Sequence, residues 1–338
     1  MKKWQKILIG VIVGLVIVSG GLFVGINMYI DSMFNRMEQT EKIDVGQANV
    51  AQTVQEQTKH RNVVNIAVFG TDHDADESDS VSERADATKI ISLDMDNKKI
   101  SITSLQRDTL VYLPGDVQDF DKFNHSYWYG GPELSIQTIN MNFDLDITRY
   151  VAFSFESLEK IVDLVGGVDI YLTQAEINQD YKPIGVSGSA GVYHLNGEQA
   201  LLYSRIRNID NDYERMQRQN NVIMAILESV KSKSVFDLID LANNALPYVE
   251  TNITNGEIKD YLTKLVTFDL SDIAQYQIPQ DGFNDVSIRS YKGFSPLYLL
   301  DSYSETAIQL HKNIYQDDNY QPSEQLLEVE SKIYAKFN

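Results

Sequence analysis

The chain has 338 residues, 10% of them aromatic, which is enough to bury a substantial core in one large domain or two smaller ones. Its formal net charge of −19 argues against nucleic-acid binding, because phosphate backbones attract lysine and arginine. Cysteine is absent, so disulfides, thiolate metal sites and cysteine nucleophiles are excluded.

Lys2, Lys3 and Lys6 precede an uncharged run from Ile7 to Ile30, interrupted only by residues such as Ser19 and Asn27. A bilayer-spanning helix needs roughly 20 mostly apolar residues, and this run is long enough. Lysines before it and acidic residues after it, beginning at Asp31, predict a cytoplasmic N-terminus at 1–6, a signal anchor at 7–30 and an outward-facing bulk domain. A cleaved signal peptide is the competing reading, but the apolar core is long for one and no clear A-x-A site follows. The polar stretch 31–61 then reads as an extracytoplasmic stalk.

Val63 to Phe69, ending at Gly70, has the character of a buried strand. Ala87 to Leu93 and Ile100 to Leu105 are further β-like runs joined by a tight turn through Asp96 and Asn97. Pro132 after Gly131 marks a helix start. Phe155, Leu158, Ile161, Val162 and Val165 have helical spacing, closed by Gly166 and Gly167, and Val168 to Leu172 is another strand. Asp212 is placed to cap a helix from about Tyr213 to Lys231. Ile258 to Val266 and Leu297 to Leu310 read as helices, and the tail after about Tyr315 as polar and loose. Alternating strands and helices predict an α/β domain with helices over a mixed sheet.

Asp72 follows the first strand, Arg84 and Asp86 precede the second, and Arg107 and Asp108 follow the third. Antiparallel pairing would return all five to one sheet edge. Paired carboxylates beside arginines suit a divalent cation and a phosphate held together, since magnesium takes one or two carboxylates plus phosphate oxygens, and arginine matches phosphate with forked donors. Arg205 and Arg207 share a face if extended, and Arg215 and Gln219 share one on the following helix, beside Arg218 and near a helix N-terminus that favours anions. Six of the ten arginines fall in these segments. Each has a bland reading when taken alone: a turn residue for Asp72 or Asp86, a solvated strand face for Arg205 and Arg207, surface charge for Arg215, loop residues for Lys122 and Asn124, structural packing for His125 and for Tyr127 to Tyr129. Only their order and spacing together point to a site.

The motifs N-I-A-V-F-G-T-D, R-A-D-A-T-K-I, S-L-Q-R-D-T, D-K-F-N-H-S-Y-W-Y-G-G-P-E-L, V-D-L-V-G-G-V-D-I, L-N-G-E-Q-A-L-L-Y-S-R-I-R and Y-E-R-M-Q-R-Q resemble those of the LytR-CpsA-Psr family of cell-wall glycopolymer ligases. The resemblance covers about Val63 to Val230. It implies a three-layer α-β-α sandwich with a mixed central sheet behind one transmembrane helix, a catalytic domain at 62–233, and a variable C-terminal extension at 234–338. It also implies transfer of a polyprenyl-pyrophosphate-linked glycopolymer (teichoic acid, capsule or similar) to a peptidoglycan hydroxyl, with release of polyprenyl phosphate at the cell membrane.

Carried over by position, Asp72 and Asp86 would bind Mg2+, and Arg84, Arg107, Arg205, Arg207, Arg215 and Gln219 would hold the pyrophosphate. Lys122, Asn124 and Arg218 would be further contacts, and Asp86 or Asp108 could assist proton removal. Gln106 stands where the family often has proline, and Ala85 where serine is common; neither change removes a charge. Water in place of the acceptor would make the protein a polyprenyl-pyrophosphate hydrolase, and the family's regulatory names suggest a non-enzymatic cell-envelope regulatory or wall-binding protein as another alternative.

Overall fold

The computed structural model describes residues 38–72, 84–231, 241, 244–265, 267–270, 272–280 and 286–338. The signal anchor expected at 7–30, its flanking lysines and the first part of the stalk lie outside these residues. No helix among the described residues is long and apolar enough to cross a membrane.

The centre is a mixed seven-stranded sheet. In chain order its strands are β1 (Glu38–Gln39), β2 (Val63–Asp72), β3 (Arg84–Asp94), β4 (Lys99–Leu105), β7 (Arg149–Ser154), β10 (Glu250–Thr251) and β11 (Ile273–Ile278). Across the sheet they run β1-β10-β7-β2-β3-β4-β11. β2, β3 and β4 form an antiparallel meander, with β7 parallel to β2 and β11 parallel to β4. Asp94 fixes the β3–β4 turn by accepting from the Asp96 and Asn97 amides at 3.1 and 2.9 Å.

Side chains alternate across β2. Ala67 and Phe69 enter a core with α2 (Phe123–Phe143), α8 (Tyr303–Tyr315) and α9 (Glu324–Phe337). Ile66 and Val68 pack on the other face with Ile223 and Leu227 of α6 (Asp212–Lys231) and Ile258 of α7 (Asn255–Leu265). The fold is therefore α/β with helices against both faces of a mixed sheet, as the alternating elements predict. A third cluster joins α3 (Phe155–Val165), α5 (Gly197–Ser204) and a hairpin of β8 (Val168–Leu172) with β9 (Gly191–Leu195). Ser154 caps α3 by accepting from the Ser157 amide, and Gly166 ends it in the left-handed region at φ 96°. A Cβ on Gly197 would lie 2.2 Å from the Glu159 carbonyl, so only glycine lets α5 begin against α3.

Several expectations are corrected. Residues 40–61 do not form a stalk: Ile43, Ala48, Val50 and Val54 are buried in the main core, the last on α1 (Gln52–Thr58). Widely spaced small apolar residues hide there among polar ones, so no period is visible. D-K-F-N-H is not loop but β6 (Asp119–Lys122) running into α2, with β6 pairing β5 (Leu110–Leu113). Leu297 to Leu300 is not helical; it belongs to β13 (Phe294–Leu300), paired with β12 (Val286–Tyr291), and α8 starts only after the Ser302 cap. Asn211, not Asp212, caps α6, accepting from the Tyr213 and Glu214 amides at 2.9 and 3.2 Å.

The tail is not loose. Leu326, Val329 and Ile333 of α9 form a buried stripe, each contributing roughly 1.5–3 kcal/mol, which outweighs the polar composition around them. Buried Asp144, in the left-handed conformation that ends α2, anchors this segment. It accepts from the Ser323 amide (2.7 Å), the Ser323 hydroxyl (2.6 Å) and the Tyr320 hydroxyl (2.6 Å), while His311 Nε2 lies 2.6 Å from its carbonyl. Ser323→Ala removes both the α9 cap and a hydrogen bond to a buried carboxyl, and should cost about 2 kcal/mol, a Tm lowered by about 4 °C in calorimetry. An unchanged Tm would refute the anchoring.

Candidate active site at the carboxyl edge of the sheet

The carboxyl ends of β2, β4, β7 and β11 share one edge with the amino end of β3. Ligands in open α/β sheets bind at such edges. Asp72 pairs with Arg84 through the backbone, which puts both at this edge; the Asp72 side chain lies outside the described residues. Gly70 pairs with Ala87 and Thr71 with Ala85, leaving Asp86 as the extra residue of a β-bulge. A bulge re-aims a side chain without ending the ladder.

The loop after β4 is braced on all sides. The Gln106 amide donates to the Ile278 carbonyl (3.0 Å), the Asn124 amide to the Arg107 carbonyl (3.0 Å), and the Tyr298 amide to the Asp108 carbonyl (2.9 Å). These bonds present Arg107 and Asp108 to Asp86. Arg107 Nη1 donates to Asp86 Oδ1 at 2.9 Å, and Arg107 Nε lies 3.3 Å from Asp108 Oδ2. Lys122 Nζ reaches Asp108 Oδ1 at 2.7 Å, and Arg207 approaches Asp86 at 3.6 Å. Arg215 pairs with Asp212 at 2.7 Å, and Gln106 Nε2 donates to the same carboxylate at 3.1 Å.

Burial alone would push the Asp86 carboxyl up, but Arg107, Arg215 and Arg207 outweigh it and hold the group below the usual carboxylate range. Asp86 is therefore anionic at neutral pH. Burial pulls the Arg215 guanidinium down to about 10; Asp212 opposes that, while Arg107 and Arg207 reinforce it. Cations are thus crowded together in a strongly acidic chain. Arg215 Nε is buried without a hydrogen-bond partner among the described residues.

A cavity of about 330 Å³ opens beside this cluster, lined in part by Asp86, Arg205, Arg207, Arg215, Gln219 and Phe155. Ile206 is buried in the third cluster, and Arg205 and Arg207 both line the cavity, although Arg205 caps the end of α5 at φ −103° and ψ 2° and the stretch is not a strand. The Arg205 guanidinium lies over the Phe155 ring at 4.9 Å.

Other expected members are placed differently. Arg84 is exposed, its guanidinium 5.5 Å from the centre of the Trp128 ring, and it is not part of the cavity wall. Lys122 reaches the site through Asp108, and Asn124 contributes its backbone amide. Arg218 is buried and faces away. It donates to Glu176 (2.7 Å), to the Ile206 carbonyl (3.2 Å) and to Asp210, so it clamps the segment carrying Arg205 and Arg207 instead of meeting a ligand. Its neighbour Gln219, one position along the helix, takes the cavity face.

The residues missed are Asp212, Gln106 and Phe155. The i, i+3 spacing of Asp212 and Arg215 was available as a signal. Gln106 bridges Asp108 and Asp212, holding the Asp108 amide through its Oε1, a role that joins the loop after β4 to a helix about a hundred residues further along the chain.

Residues 25–299 match the LytR_cpsA_psr family model. The chain is 31% identical over 289 residues to the polyisoprenyl-teichoic acid–peptidoglycan teichoic acid transferase TagU of Bacillus cereus, covering 83% of this chain and 89% of that one. It is 28% identical to the corresponding transferase TagT of Bacillus subtilis, over 71% of this chain and 74% of the other. The crystal structure of B. subtilis TagV superposes with a TM-score of 0.61 at 25% identity, covering 78% of this chain and 99% of that one. The chain belongs to the LytR_cpsA_psr family.

Proposed function

We propose that this chain transfers a polyprenyl-pyrophosphate-linked glycopolymer, a teichoic acid, capsule or similar chain, onto peptidoglycan. The observation that carries the reading is the cavity at the sheet edge, where Arg205, Arg207 and Arg215 converge beside Asp86, the one carboxylate in its wall among the described residues. The names of the TagU and TagT relatives agree with it. The fold reading that accompanies it is a three-layer α-β-α sandwich.

An acceptor hydroxyl, that of a muramic acid C6 in our reading, attacks the sugar-proximal phosphorus. A new P–O bond forms to the acceptor, the P–O bond to the bridging oxygen breaks, and polyprenyl phosphate departs with the electron pair. The hydroxyl proton goes to a carboxylate or to solvent. Phosphoryl transfer of this kind depends mainly on positioning and charge neutralisation. Arg205, Arg207, Arg215 and Gln219 bind and orient the pyrophosphate. Arg107 holds Asp86 anionic and faces the developing charge, and Asp108 is held between Arg107 and Lys122.

The donor set suits magnesium, because that ion takes one or two carboxylates and completes its shell with water and phosphate oxygens. Asp72 and Asp86 would hold it, at neighbouring strand ends. When bound, the ion would add positive charge against the pyrophosphate oxygens. We place the domain outside the cytoplasmic membrane on the lysine asymmetry around Ile7 to Ile30.

Arg205→Ala and Arg207→Ala should each weaken binding of a prenyl-pyrophosphoryl sugar about tenfold, roughly 1.4 kcal/mol, and combine non-additively because they serve one ligand. Arg61→Ala, on the far Asp317 pair, should leave binding unchanged, and Arg218→Ala should lower Tm by unpairing buried Glu176 and releasing the more exposed Asp210. If the cavity arginines titrate like Arg61→Ala, the site is elsewhere. Asp72→Asn with Asp86→Asn should abolish magnesium-dependent transfer in a domain still folded by circular dichroism; full activity in that variant, or in excess chelator, removes the metal. Protease added to intact wall-stripped cells should digest the domain, and protection until the membrane is broken would reverse the topology.

A further inference from the structure

Lys89 of β3 is buried beneath α6. Its Nζ donates to Ser104 Oγ on the neighbouring strand β4 (2.8 Å) and to the Met216 carbonyl of α6 (3.3 Å). Ser104 Oγ lies 3.2 Å from Asn220 Oδ1 as its donor, and Asn220 Nδ2 donates to Gln275 Oε1 on β11 at 3.0 Å. The relay spans three adjacent strands and grips one helix at Met216 and Asn220, one turn apart. Arg215 and Gln219 precede those two positions by one residue each and form the adjoining stripe, which lines the cavity. A helix held at Met216 and Asn220 can neither rotate nor slide, so its Arg215 and Gln219 stripe is fixed too.

A cation is an expensive choice here. The same face of β3 carries Ile91 and Leu93, and a methionine of similar length could be buried without an ionisable group. Among the described residues the charged groups that act on Lys89 are Arg215 and Asp212, both from α6; neighbouring β2 and β4 offer Val68 and Ser104 opposite it. Burial pulls the Lys89 ammonium down to about 7, Arg215 adds to that, and Asp212 opposes it.

We propose that Lys89 is a positioning residue of the anion site, which sets α6 against the sheet and, when protonated, stands as a second cation behind Arg215. The idea rests on reading the cavity as a pyrophosphate site. An anion seated on Arg215 and Gln219 offsets the repulsion between Arg215 and Lys89, so donor binding favours the ammonium form. Binding above neutral pH is thereby coupled to proton uptake. The folded Lys89 value lies below the unfolded 10.5, so the fold carries the penalty in full below about 7 and sheds it as pH rises towards 10.5.

The test compares the full-length chain in detergent with its Lys89→Met variant. The probe is farnesyl-pyrophosphoryl-N-acetylglucosamine, a diester with no phosphate proton that titrates near neutrality. Calorimetry at pH 7.5 in two buffers of different ionisation enthalpy should find proton uptake in the wild type and none in Lys89→Met, with Kd weakened about tenfold. Equal affinity and equal uptake in both would overturn the proposal.

A second readout needs no ligand. Amide hydrogen exchange at 216–220 should quicken in Lys89→Met, and the stability difference between the variant and the wild type should shift in favour of the wild type as pH rises from 7 to 10. Unchanged exchange with a pH-independent difference refutes the role of Lys89. A probe that fails to bind the wild type sinks the pyrophosphate reading alone and leaves exchange to decide the positioning role.

Discussion

The contact on which the site depends is the pair of Arg107 with Asp86, one delivered by the loop after β4 and the other by a bulge in β3. Neither residue could sit half-buried alone, because an uncompensated charge out of water costs several kcal/mol. Together they keep Asp86 ionised and tie two strand ends into one rigid edge. Arg207 leans on the same carboxylate, and Asp108 passes the charge on to Lys122. Such mutual pairing lets a chain of net charge −19 gather a basic pocket around one carboxylate.

Around that pair, the protein separates gripping residues from presenting ones. Arg218, Gln106, Lys89 and Asn220 spend their hydrogen bonds inward, on carbonyls, carboxylates and amides of neighbouring elements. Arg205, Arg207, Arg215 and Gln219 face the cavity. The two groups alternate along the same short segments, with Ile206 buried between half-buried Arg205 and exposed Arg207, and Arg218 beside Gln219. Inward side chains fix the backbone, so outward ones converge without a dedicated scaffold. Groups held in this way need little reorganisation when charge develops on a phosphate.

The elements that surround the sheet extend further than their sequences suggest. Residues 40–58 close one side of the main core, and α9 closes another through Asp144 and Ser323. Both segments are rich in polar residues because their outer faces meet water. Their contribution rests on a few apolar positions that mean little until a complementary surface exists. Asp144 shows the same dependence, since its three donors come from residues 320 and 323, far along the chain.

From its sequence alone this chain declared an α/β fold, the antiparallel meander that returns Asp86, Arg107 and Asp108 to one edge, and the arginine pairs at 205/207 and the 215/219 stripe. Those features are local: strand and helix periods, tight turns and side-chain spacing obey steric rules that act over a few residues. Its motifs also carried the family. Tertiary structure decided the rest. Arg218 and Gln219 are adjacent and both polar, and only packing against Glu176 and Asp210 turns the first inward. Arg84 lies in one of the family's motifs, yet it rests near Trp128 and outside the cavity. Lys89 reads as one more strand residue until α6 covers it. Direction and burial come from partners distant in sequence, and no local period encodes where those partners will stand.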